Sequence, residues 1–513
     1  MSANSNLYAH FQANFPVDLD ALLLVTADDQ RVSYRQAEEA SGRIAIGLCE
    51  LGAVSGDRVT VQVEKSVENL YLYLACLRAG LVYHPLNTAY TAAELNYFLG
   101  NAEPAIVICD SDALDAMQSA LAQAAPKAQL TLDADGGGSL MEQFSSIDYE
   151  NYVADSSGAD MAALLYSSGT TGKPKGIMLS HDNLRKSAQT LVDAWGFNYS
   201  DHLLHMLPIY HVHGLFVAVS CVLMSGASMS WHRGFNDKAA VAAMPNCTVM
   251  MGVPTYYTRL LGNPEFGPGC CANMRLFISG SAPLLAETFV EFETRSGHTI
   301  LERYGMSETN MITSNPLHGE RRAGTVGPPL PGVTVRLVDG SGVSLSTAAD
   351  TGEIGDLQVK GDNVFAGYWR MPEKTAEDFT ADGFFNTGDK ATIDADGYVS
   401  IVGRAKDLVI CGGLNVYPKE IELVIDDIAG VQESAVIGVP HADFGEVVVA
   451  VIVAEQPGGS GKIPLAEQVI DRCRTQLANF KVPKRVELVD ALPRNAMGKV
   501  QKNLLREKFG SKS

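Results

Sequence analysis

Residues 166–176 read YSSGTTGKPKG, a stretch dominated by glycine, hydroxyl side chains and lysine. Glycine lets backbone N–H groups turn toward phosphate oxygens, and Lys173 and Lys175 add positive charge. Residues 161–166 predict a buried strand that enters this stretch, and residues 182–195 predict a helix beyond it, with Ser180 or His181 near its N-cap. The sequence therefore predicts a phosphate-binding loop between regular elements.

The loop differs from the P-loop of NTPases, which reads GxxxxGK[ST]. Ser167 stands five positions before Gly172, where that pattern needs glycine, and Pro174 follows Lys173, where it needs Ser or Thr for Mg²⁺. A flexible surface linker is the alternative interpretation. Linkers rarely follow a buried strand and lead into an N-capped helix, so the pattern favours a phosphate site of another type.

Outside the loop, the patterning predicts the fold class α/β. Short apolar runs alternate with amphipathic helices through the first 310 residues, which is typical of a parallel α/β sheet. After about residue 321, turns rich in glycine and proline separate short strands and predict a small barrel-like antiparallel part. We expect a large N-terminal domain over residues 1–406, with this β-rich part at about 322–406, and a small α+β C-terminal domain over 407–513. The predicted strands are residues 59–63, 105–109, 161–166, 248–252, 275–279, 299–304, 434–438 and 447–453, and the other predicted helices are 67–79, 418–427 and 465–477.

Composition limits the class of protein. The chain has 513 residues, 46% of them hydrophobic, and a net charge of −20, which argues against non-specific nucleic-acid binding. Residues 479–513 are basic, which fits either a solvated tail or a dock for an anionic ligand. The nine cysteines form no CxxC pair, the N-terminus lacks signal or transit features, and the longest apolar run, 215–224, is too short to span a bilayer. We expect a cytoplasmic monomer or homodimer that binds small molecules, with no nucleic acid and no membrane.

Six further motifs occur in the chain: PIYHVHG (208–214), GSAP (280–283), YGMSE (304–308), TGD (387–389), GRAKD (403–407) and PRNAMGK (493–499). Together with YSSGTTGKPKG they resemble, in the same order, the signatures of the adenylate-forming superfamily of acyl-CoA synthetases, luciferases and adenylation domains. The resemblance covers almost the whole chain. It implies that a carboxylate and ATP form an acyl-adenylate, and that the thiol of coenzyme A then displaces AMP. It also implies a small domain that rotates between these half-reactions about Asp407.

The resemblance implies roles for single residues. Lys499 would bridge the attacking carboxylate and the α-phosphate, and Glu308 would be the metal ligand for Mg²⁺. Tyr304 would stack on adenine, and Asp389 would bind the ribose. Ser307 stands where many members have threonine. The candidate catalytic residues are Lys499, Thr170 and Glu308, and the candidate residues of the channel for coenzyme A are Gly412 and Gly413. The candidate nucleotide-binding residues are Ser167, Ser168, Gly169, Thr170, Thr171, Gly172, Lys175, Gly280, Ser281, Ala282, Pro283, Glu302, Tyr304, Gly305, Met306, Ser307, Asp389 and Arg404.

Arg303 points to the class of acid. Many family members have a small residue directly before the YG of their YGxTE motif, whereas this chain has arginine. A buried arginine is costly without a carboxylate partner, and its planar fork suits the second carboxylate of a small dicarboxylic acid. An internal pair with Glu302 or another acid is the alternative. His211, His213 and Ser279 are the other candidate substrate-binding residues; a zinc site at the two histidines would lack a third ligand.

The stretches LERYGMSETNM (301–311) and NVFAGYWRMPEKT (363–375) also resemble bacterial malonyl-CoA synthetases, a subgroup of the superfamily. Malonate is a small acid with two carboxylates, so the resemblance implies an ATP-dependent malonate–CoA ligase. The alternatives are a synthetase for methylmalonate, acetate or an aryl acid, and a luciferase-like oxygenase, whose large aromatic substrate suits a pocket arginine poorly. A non-catalytic nucleotide sensor would have lost Lys499 or Glu308, and the chain has both.

Overall fold

The computed structural model describes residues 4–167, 174–345, 352–404, 407–411, 414–441, 445–455, 462–477, 479–495 and 498–510. The chain divides into two compact units, each built from separate stretches. The first unit comprises Met1–Thr334 and Lys360–Gly383, and the second comprises Val335–Val359 and Phe384–Ser513. The predicted domain boundary near Asp407 stays a prediction.

The described strands are β1 (Leu22–Thr26), β2 (Arg31–Ser33), β3 (Arg58–Gln62), β4 (Val82–Pro85), β5 (Ile106–Cys109), β6 (Ala128–Thr131), β7 (Met161–Ser167), β8 (Lys175–Ser180), β9 (His202–His205), β10 (Ser228–Trp231), β11 (Val249–Gly252), β12 (Leu276–Ser279), β13 (Ile300–Met306), β14 (Asn310–Ser314), β15 (Val333–Val338), β16 (Gly355–Gly361), β17 (Gly367–Tyr368), β18 (Phe385–Ile393), β19 (Val399–Arg404), β20 (Val409–Cys411), β21 (Leu414–Val416), β22 (Val431–His441), β23 (Gly445–Ala454) and β24 (Arg485–Val489).

The described α-helices are α1 (Leu7–Ala13), α2 (Tyr34–Glu50), α3 (Val67–Arg78), α4 (Ala92–Ala102), α5 (Leu114–Ala124), α6 (Ser139–Phe144), α7 (His181–Trp195), α8 (Ser220–Ser225), α9 (Asp237–Ala243), α10 (Pro254–Gly262), α11 (Ala286–Ser296), α12 (Pro372–Asp378), α13 (Pro418–Asp426), α14 (Lys462–Gln476) and α15 (Lys502–Phe509). A π-helix spans His213–Val219, and short 3₁₀ turns span Ser111–Ala113, Met244–Asn246 and Asn479–Lys481. No helix within the described ranges is long and apolar enough to cross a membrane.

Two largely parallel sheets form the frame of the first unit, which confirms the predicted α/β fold class. One has eight strands in the order β14-β13-β12-β11-β9-β10-β1-β2, and the other has seven in the order β17-β8-β7-β4-β3-β5-β6. The buried strands β5, β11 and β12 have no exposed residue, as expected for parallel strands covered on both faces. The carboxyl ends of parallel strands are where ligands bind in open α/β sheets.

The helix after the glycine-rich stretch begins as its sequence predicts. Ser180 is the N-cap of α7, and its side chain and that of Asn183 form a reciprocal capping box. Leu184, Leu191 and Trp195 on one face of the helix are buried, and Gly196 ends it in the left-handed conformation with φ 61°. The strand, the cap and the helix therefore follow from local chemistry.

The second unit contains a four-stranded sheet, β15-β16-β18-β19, and a five-stranded sheet in which β24 pairs in parallel with β23. The first of these is the β-rich part that the sequence predicts. The long strands β22 and β23 pair in antiparallel fashion. Alternate residues of β23 face two separate apolar clusters: Val448 and Ala450 belong to one, and Val447 and Val449 to the other. The five-stranded sheet is therefore buried on both faces.

Candidate active site

The glycine-rich stretch connects two paired strands. β7 runs antiparallel to β8, and the last residue pair of this ladder joins Ser167 to Lys175. Both ends of the stretch are thus fixed by the sheet. The candidate residues Ser168, Gly169, Thr170, Thr171 and Gly172 lie outside the described residues, so their phosphate-binding role stays a prediction.

Lys175 and Glu308 meet at Tyr368. The Lys175 ammonium donates a hydrogen bond to the Tyr368 hydroxyl at 2.8 Å and lies 3.6 Å from a carboxylate oxygen of Asp378. The hydroxyls of Tyr368 and Ser167 both donate to Oε1 of Glu308, at 3.4 Å and 3.3 Å. The sequence predicted a role for Ser167, Lys175 and Glu308, and the structure brings these three together. It adds Tyr368 and Asp378, to which sequence reasoning assigned no role.

The cluster is suited to a metal and to phosphate. Burial raises the pKa of the Tyr368 phenol, and the Glu308 and Asp378 carboxylates raise it further, so the phenol stays a neutral donor. Glu308 is only 5% exposed. Glu308 is a buried carboxylate that accepts from two hydroxyls, one of them on Ser167 in the glycine-rich stretch. It provides the hard oxygen that Mg²⁺ takes when its other positions go to phosphate and water.

Arg303 is buried, and two of its three guanidinium nitrogens have no partner among the described residues. It is 2% exposed, and its Nε and Nη2 have no hydrogen-bond partner in the described part of the chain. The ionizable groups that act on it most after burial itself are Tyr257 and Cys221, neither of them a carboxylate. Burial lowers the pKa of its guanidinium to about 10, so the side chain is still charged at neutral pH. A buried charge of this kind calls for an anionic ligand.

The alternative pairing with Glu302 does not form. Successive residues of a strand point to opposite faces, and Oε1 of Glu302 accepts a hydrogen bond from the backbone N–H of Leu284 at 3.3 Å. The carboxylate next to Arg303 in sequence is therefore directed to another part of the unit. Leu284 lies just before α11, so Glu302 supports the backbone at the start of that helix. Its predicted place in the nucleotide site stays a prediction.

Further polar groups surround the guanidinium. Nδ1 of His213 lies 3.3 Å from the Ser281 hydroxyl, while Nε2 of His213 and the Ser279 hydroxyl are buried without a partner among the described residues. Burial, and then the charge of Arg303, hold the pKa of His213 well below its usual value, so the ring is neutral. His211 is partly exposed and its ring centroid lies 4.7 Å from that of Tyr210. Buried donors and acceptors without a partner are uncommon in native proteins, which makes this place a candidate binding site for a polar ligand.

Gly280 packs directly against Arg303. A Cβ atom at Gly280 would lie 2.5 Å from Cζ and 2.6 Å from Nε of the guanidinium. The next residue, Ser281, has φ 71°, a strained value for a residue with a side chain. The GSAP segment thus keeps its backbone close to the arginine at a conformational cost. The sequence predicts Gly280, Ser281, Ala282 and Pro283 as nucleotide-binding residues, which stays a prediction. The structure places the first of them against Arg303 of the candidate acid site.

The YGMSE segment covers the end of β13 and the turn into β14. Tyr304 pairs across the ladder with Thr313, and a Cβ at Gly305 would lie 1.9 Å from the backbone oxygen of Asn310, so only glycine fits. Tyr304, Gly305, Met306 and Ser307 are all partly exposed, so a ligand could reach them. Their contacts with a nucleotide stay predictions.

In the second unit, Asp389 and Arg404 face each other on β18 and β19. Arg404 Nε lies 2.7 Å from Asp389 Oδ1, and Asp389 is 2% exposed. The backbone N–H of Asp389 donates to the Thr387 hydroxyl at 3.1 Å, which fixes the TGD turn. The two side chains are adjacent, as the sequence predicted, while the ribose as their ligand stays a prediction.

Lys499 is held by hydrogen bonds among the described residues beside it. Its backbone N–H donates to Oδ1 of Asn495 at 3.0 Å, and Arg494 donates to the backbone oxygen of Gly498 at 2.5 Å. Arg494 also forms an ion pair with Glu433 on β22, so this segment is attached to the sheet, and Lys499 itself is exposed. Elsewhere in this unit Asp407 pairs with Arg506 at 2.7 Å. Gly412 and Gly413 lie outside the described residues.

Comparison with known proteins gives consistent matches over the whole chain. The family model described as AMP-binding enzyme matches residues 9–369, and that described as AMP-binding enzyme C-terminal domain matches residues 420–499. A crystal structure of ATP-bound MatB from Rhodopseudomonas palustris is 51% identical, covers 99% of each chain and superposes with a TM-score of 0.95. A probable CoA ligase, CCL8, of Humulus lupulus is 35% identical and covers 95% of this chain and 85% of its own. A malonate–CoA ligase of Arabidopsis thaliana is 33% identical, covering 89% and 78%.

Proposed function

Since the chain belongs to the AMP-binding enzyme family, we propose that it is an AMP-forming ligase that joins malonate to coenzyme A. A malonate carboxylate oxygen attacks the α-phosphorus of ATP, the bond to the β-phosphate breaks, and pyrophosphate leaves. The thiol of coenzyme A then attacks the carbonyl carbon of malonyl-adenylate, loses its proton, and expels AMP. The products are malonyl-CoA, AMP and pyrophosphate.

The unpaired, buried guanidinium of Arg303 is the observation that carries the choice of acid. A carboxylate binds to an arginine fork through two parallel hydrogen bonds, and Nε and Nη2 form one edge of such a fork. A monocarboxylic acid would have its only carboxylate at the α-phosphate and would leave this buried charge unpaired. A small dicarboxylate satisfies both positions. A relative that is a malonate–CoA ligase adds support.

His213 and Ser279 fit the same ligand. The neutral ring of His213 and the hydroxyl of Ser279 each have a buried atom without a partner in the described ranges, and each can hydrogen-bond to a second carboxylate. Neither adds a negative charge that would repel it. The strand β12, which ends at Ser279, and β13, which carries Arg303, are neighbours in the sheet, and their register pairs Ser279 with Glu302, the residue before Arg303. Both strands belong to a rigid frame.

The nucleotide would be held by groups around Glu308. The residues fit Mg²⁺, which Glu308 would hold, and the bound ion would add positive charge beside the β- and γ-phosphates. Lys175 would add a positive charge of the protein itself to this site. Its ammonium is held in place by contacts with Tyr368 and Asp378. Lys499 is proposed to contact the attacking carboxylate and the α-phosphate, Asp389 the ribose, and Gly412 and Gly413 the pantetheine arm of coenzyme A.

An assay of AMP release across a panel of acids tests the proposal. We expect the highest kcat/KM with malonate, and a value for acetate at least about 30-fold lower, because acetate leaves Arg303 unpaired. Methylmalonate, succinate and a fatty acid complete the panel, and reactions without ATP or without coenzyme A are the blanks. Equal activity with acetate, or a preference for the fatty acid, would reject malonate as the substrate.

The Gly280→Ala variant tests the contact between the GSAP segment and the acid site. The added methyl group would overlap the guanidinium of Arg303, which is buried and cannot swing into solvent. Displacement by about 1 Å is expected to lower kcat/KM for malonate by about 100-fold, with a smaller change for acetate. The Gly234→Ala variant is the matched control, since a Cβ there meets nothing within 4 Å. Unchanged malonate kinetics in Gly280→Ala would contradict the contact.

A further inference from the structure

A buried lysine outside the candidate site is connected to it. Lys65 lies in the turn between β3 and α3 and is 5% exposed. Its ammonium lies 2.7 Å from Nδ1 of His205 and 3.1 Å from the backbone oxygens of His205 and Leu207. All three acceptors are uncharged, and burial holds the pKa of Lys65 well below its usual value. The nitrogen also lies 4.1 Å from the ring centroid of Trp231, a favourable cation–π geometry.

These bonds connect the two large sheets of the first unit. β3, which precedes Lys65, belongs to the seven-stranded sheet, while His205 is the last residue of β9 in the eight-stranded sheet. The contact between Lys65 and His205 lies at the carboxyl ends of β3 and β9. Open α/β sheets bind ligands at this edge. A lysine that served only to join two sheets would have no need to be at this edge.

His205 connects Lys65 to the segment that carries His213. Burial holds the pKa of His205 well below its usual value, so the ring carries a single proton. Its Nδ1 lies 2.7 Å from Nζ of Lys65, and its Nε2 lies 2.8 Å from the backbone oxygen of Gly214. A carbonyl oxygen can only accept, so Nε2 carries the proton. His205 is therefore a neutral ring with its hydrogen on Nε2, fixed by Lys65 on one side and Gly214 on the other. Such a hydrogen bond is the usual means by which the tautomer of a histidine is set.

Gly214 is the residue after His213 and lies in the π-helix His213–Val219. A Cβ at Gly214 would lie 1.9 Å from the backbone oxygen of Pro208, so residues 208–214 close into a tight turn that requires glycine. His213, at the end of this turn, contacts Ser281 and faces the charge of Arg303. π-helical turns occur frequently at functional sites.

We propose that Lys65 is a positioning residue for the acid pocket: through His205 and the carbonyl of Gly214 it holds the ring of His213 beside Arg303. The inference rests on the proposed function only for the identity of the acid. Lys65 does not contact the substrate. It acts by fixing the backbone that carries His213, and thereby contributes to the preference for a second carboxylate.

The Lys65→Met variant keeps an unbranched side chain of similar length and removes the three hydrogen bonds. Because a misplacement of about 1 Å in an active site can cost about 100-fold, we expect kcat/KM for malonate to fall about 10- to 100-fold. The value for acetate should change less, so the malonate-to-acetate ratio falls. This ratio does not depend on the folded fraction of the enzyme. The KM for ATP should stay within about twofold of wild type, since the contacts of Glu308 are not touched.

Lys127→Met is the matched control. Lys127 also donates to a backbone oxygen, that of Gly52 at 2.7 Å, but its side chain is 47% exposed. The Lys127→Met variant should therefore leave the malonate-to-acetate ratio of kcat/KM unchanged. A Lys65→Met enzyme with reduced stability and an unchanged ratio would show that Lys65 is structural only, and would overturn the proposal. If the wild-type enzyme prefers another acid, the proposed function fails, and this result needs no variant. The proposal for Lys65 is then tested with the ratio of kcat/KM for the preferred acid to kcat/KM for acetate.

A second measurement needs no variant at Lys65. Nitrogen-15 NMR of histidine-labelled wild-type enzyme reports the tautomer of each ring, and the His205 signal is identified by its absence in His205→Gln. We expect a neutral ring protonated at Nε2 at neutral pH. A ring protonated at Nδ1, or at both nitrogens, would overturn the proposal even if Lys65→Met does not fold.

Discussion

In the Arg303→Ala variant, kcat/KM for malonate is expected to fall by between about 30-fold and several-thousand-fold. The reason is that the far carboxylate of malonate would then be desolvated without a cation to pair with, since no other buried arginine or lysine contacts this place in the part of the chain that the structure describes. Residual activity with acetate or propionate should remain, because these acids never use the guanidinium. The measurement is steady-state AMP release with each acid.

Stability separates this role from a structural one. In the absence of substrate the wild-type protein keeps an unpaired charge buried at Arg303, and burial of an unpaired charge lowers the free energy of unfolding. Arg303→Met, which retains the apolar stem, should therefore unfold at a denaturant concentration no lower than wild type. Arg259→Ala on the exposed face of α10 is the control for loss of an arginine. Malonate kinetics that do not change in Arg303→Ala would reject the dicarboxylate.

The second large effect is expected for Lys499→Ala, in the first half-reaction. Removing a cation that stabilises the charge developing at the α-phosphate should lower malonate-dependent pyrophosphate release by about 100- to 1,000-fold. The second half-reaction does not need this cation. Malonyl-adenylate supplied to the variant should therefore react with coenzyme A at a rate close to wild type, measured as thioester formation.

The control for Lys499 is Lys508→Ala, in the same basic C-terminal region. Lys508 lies on α15 and is exposed, so both half-reactions should stay within about twofold of wild type, as is usual for surface substitutions. Normal pyrophosphate release by Lys499→Ala would make Lys499 one more surface lysine of a basic region. Loss of both half-reactions together would point to damaged local structure, because the backbone of Lys499 is bonded to Asn495.

Local chemistry explains why much of the fold could be predicted. The strand at 161–166, the cap at Ser180 and the helix that follows depend on residues close in sequence, and the structure confirms them as β7 and α7. The π-helix at His213–Val219 could not be predicted in this way, because all of its residues are buried. Where no side of a segment faces water, apolar periodicity carries no signal.

The candidate site shows the same limit. Arg303 was found from its position before a motif, but that it lies unpaired depends on strand alternation, which directs Glu302 elsewhere. The partners of Lys175 are 193 and more residues away in sequence, and those of Lys65 are 140 and more residues away. A lysine in a turn gives no sign of burial, because only the fold brings β9 beside it. Contacts of this kind require the structure.

The division of the chain into two units has a consequence for synthesis. The chain leaves the first unit after Thr334, contributes Val335–Val359 to the second, and returns for Lys360–Gly383. Tyr368 and Asp378, which hold Lys175, lie on the returning segment. Domains tend to fold as units while the ribosome extends the chain from the N-terminus. A nascent chain that ends before residue 360 thus carries the glycine-rich stretch without the two residues that hold its lysine, and the nucleotide site is completed only after the ribosome has translated part of the other unit.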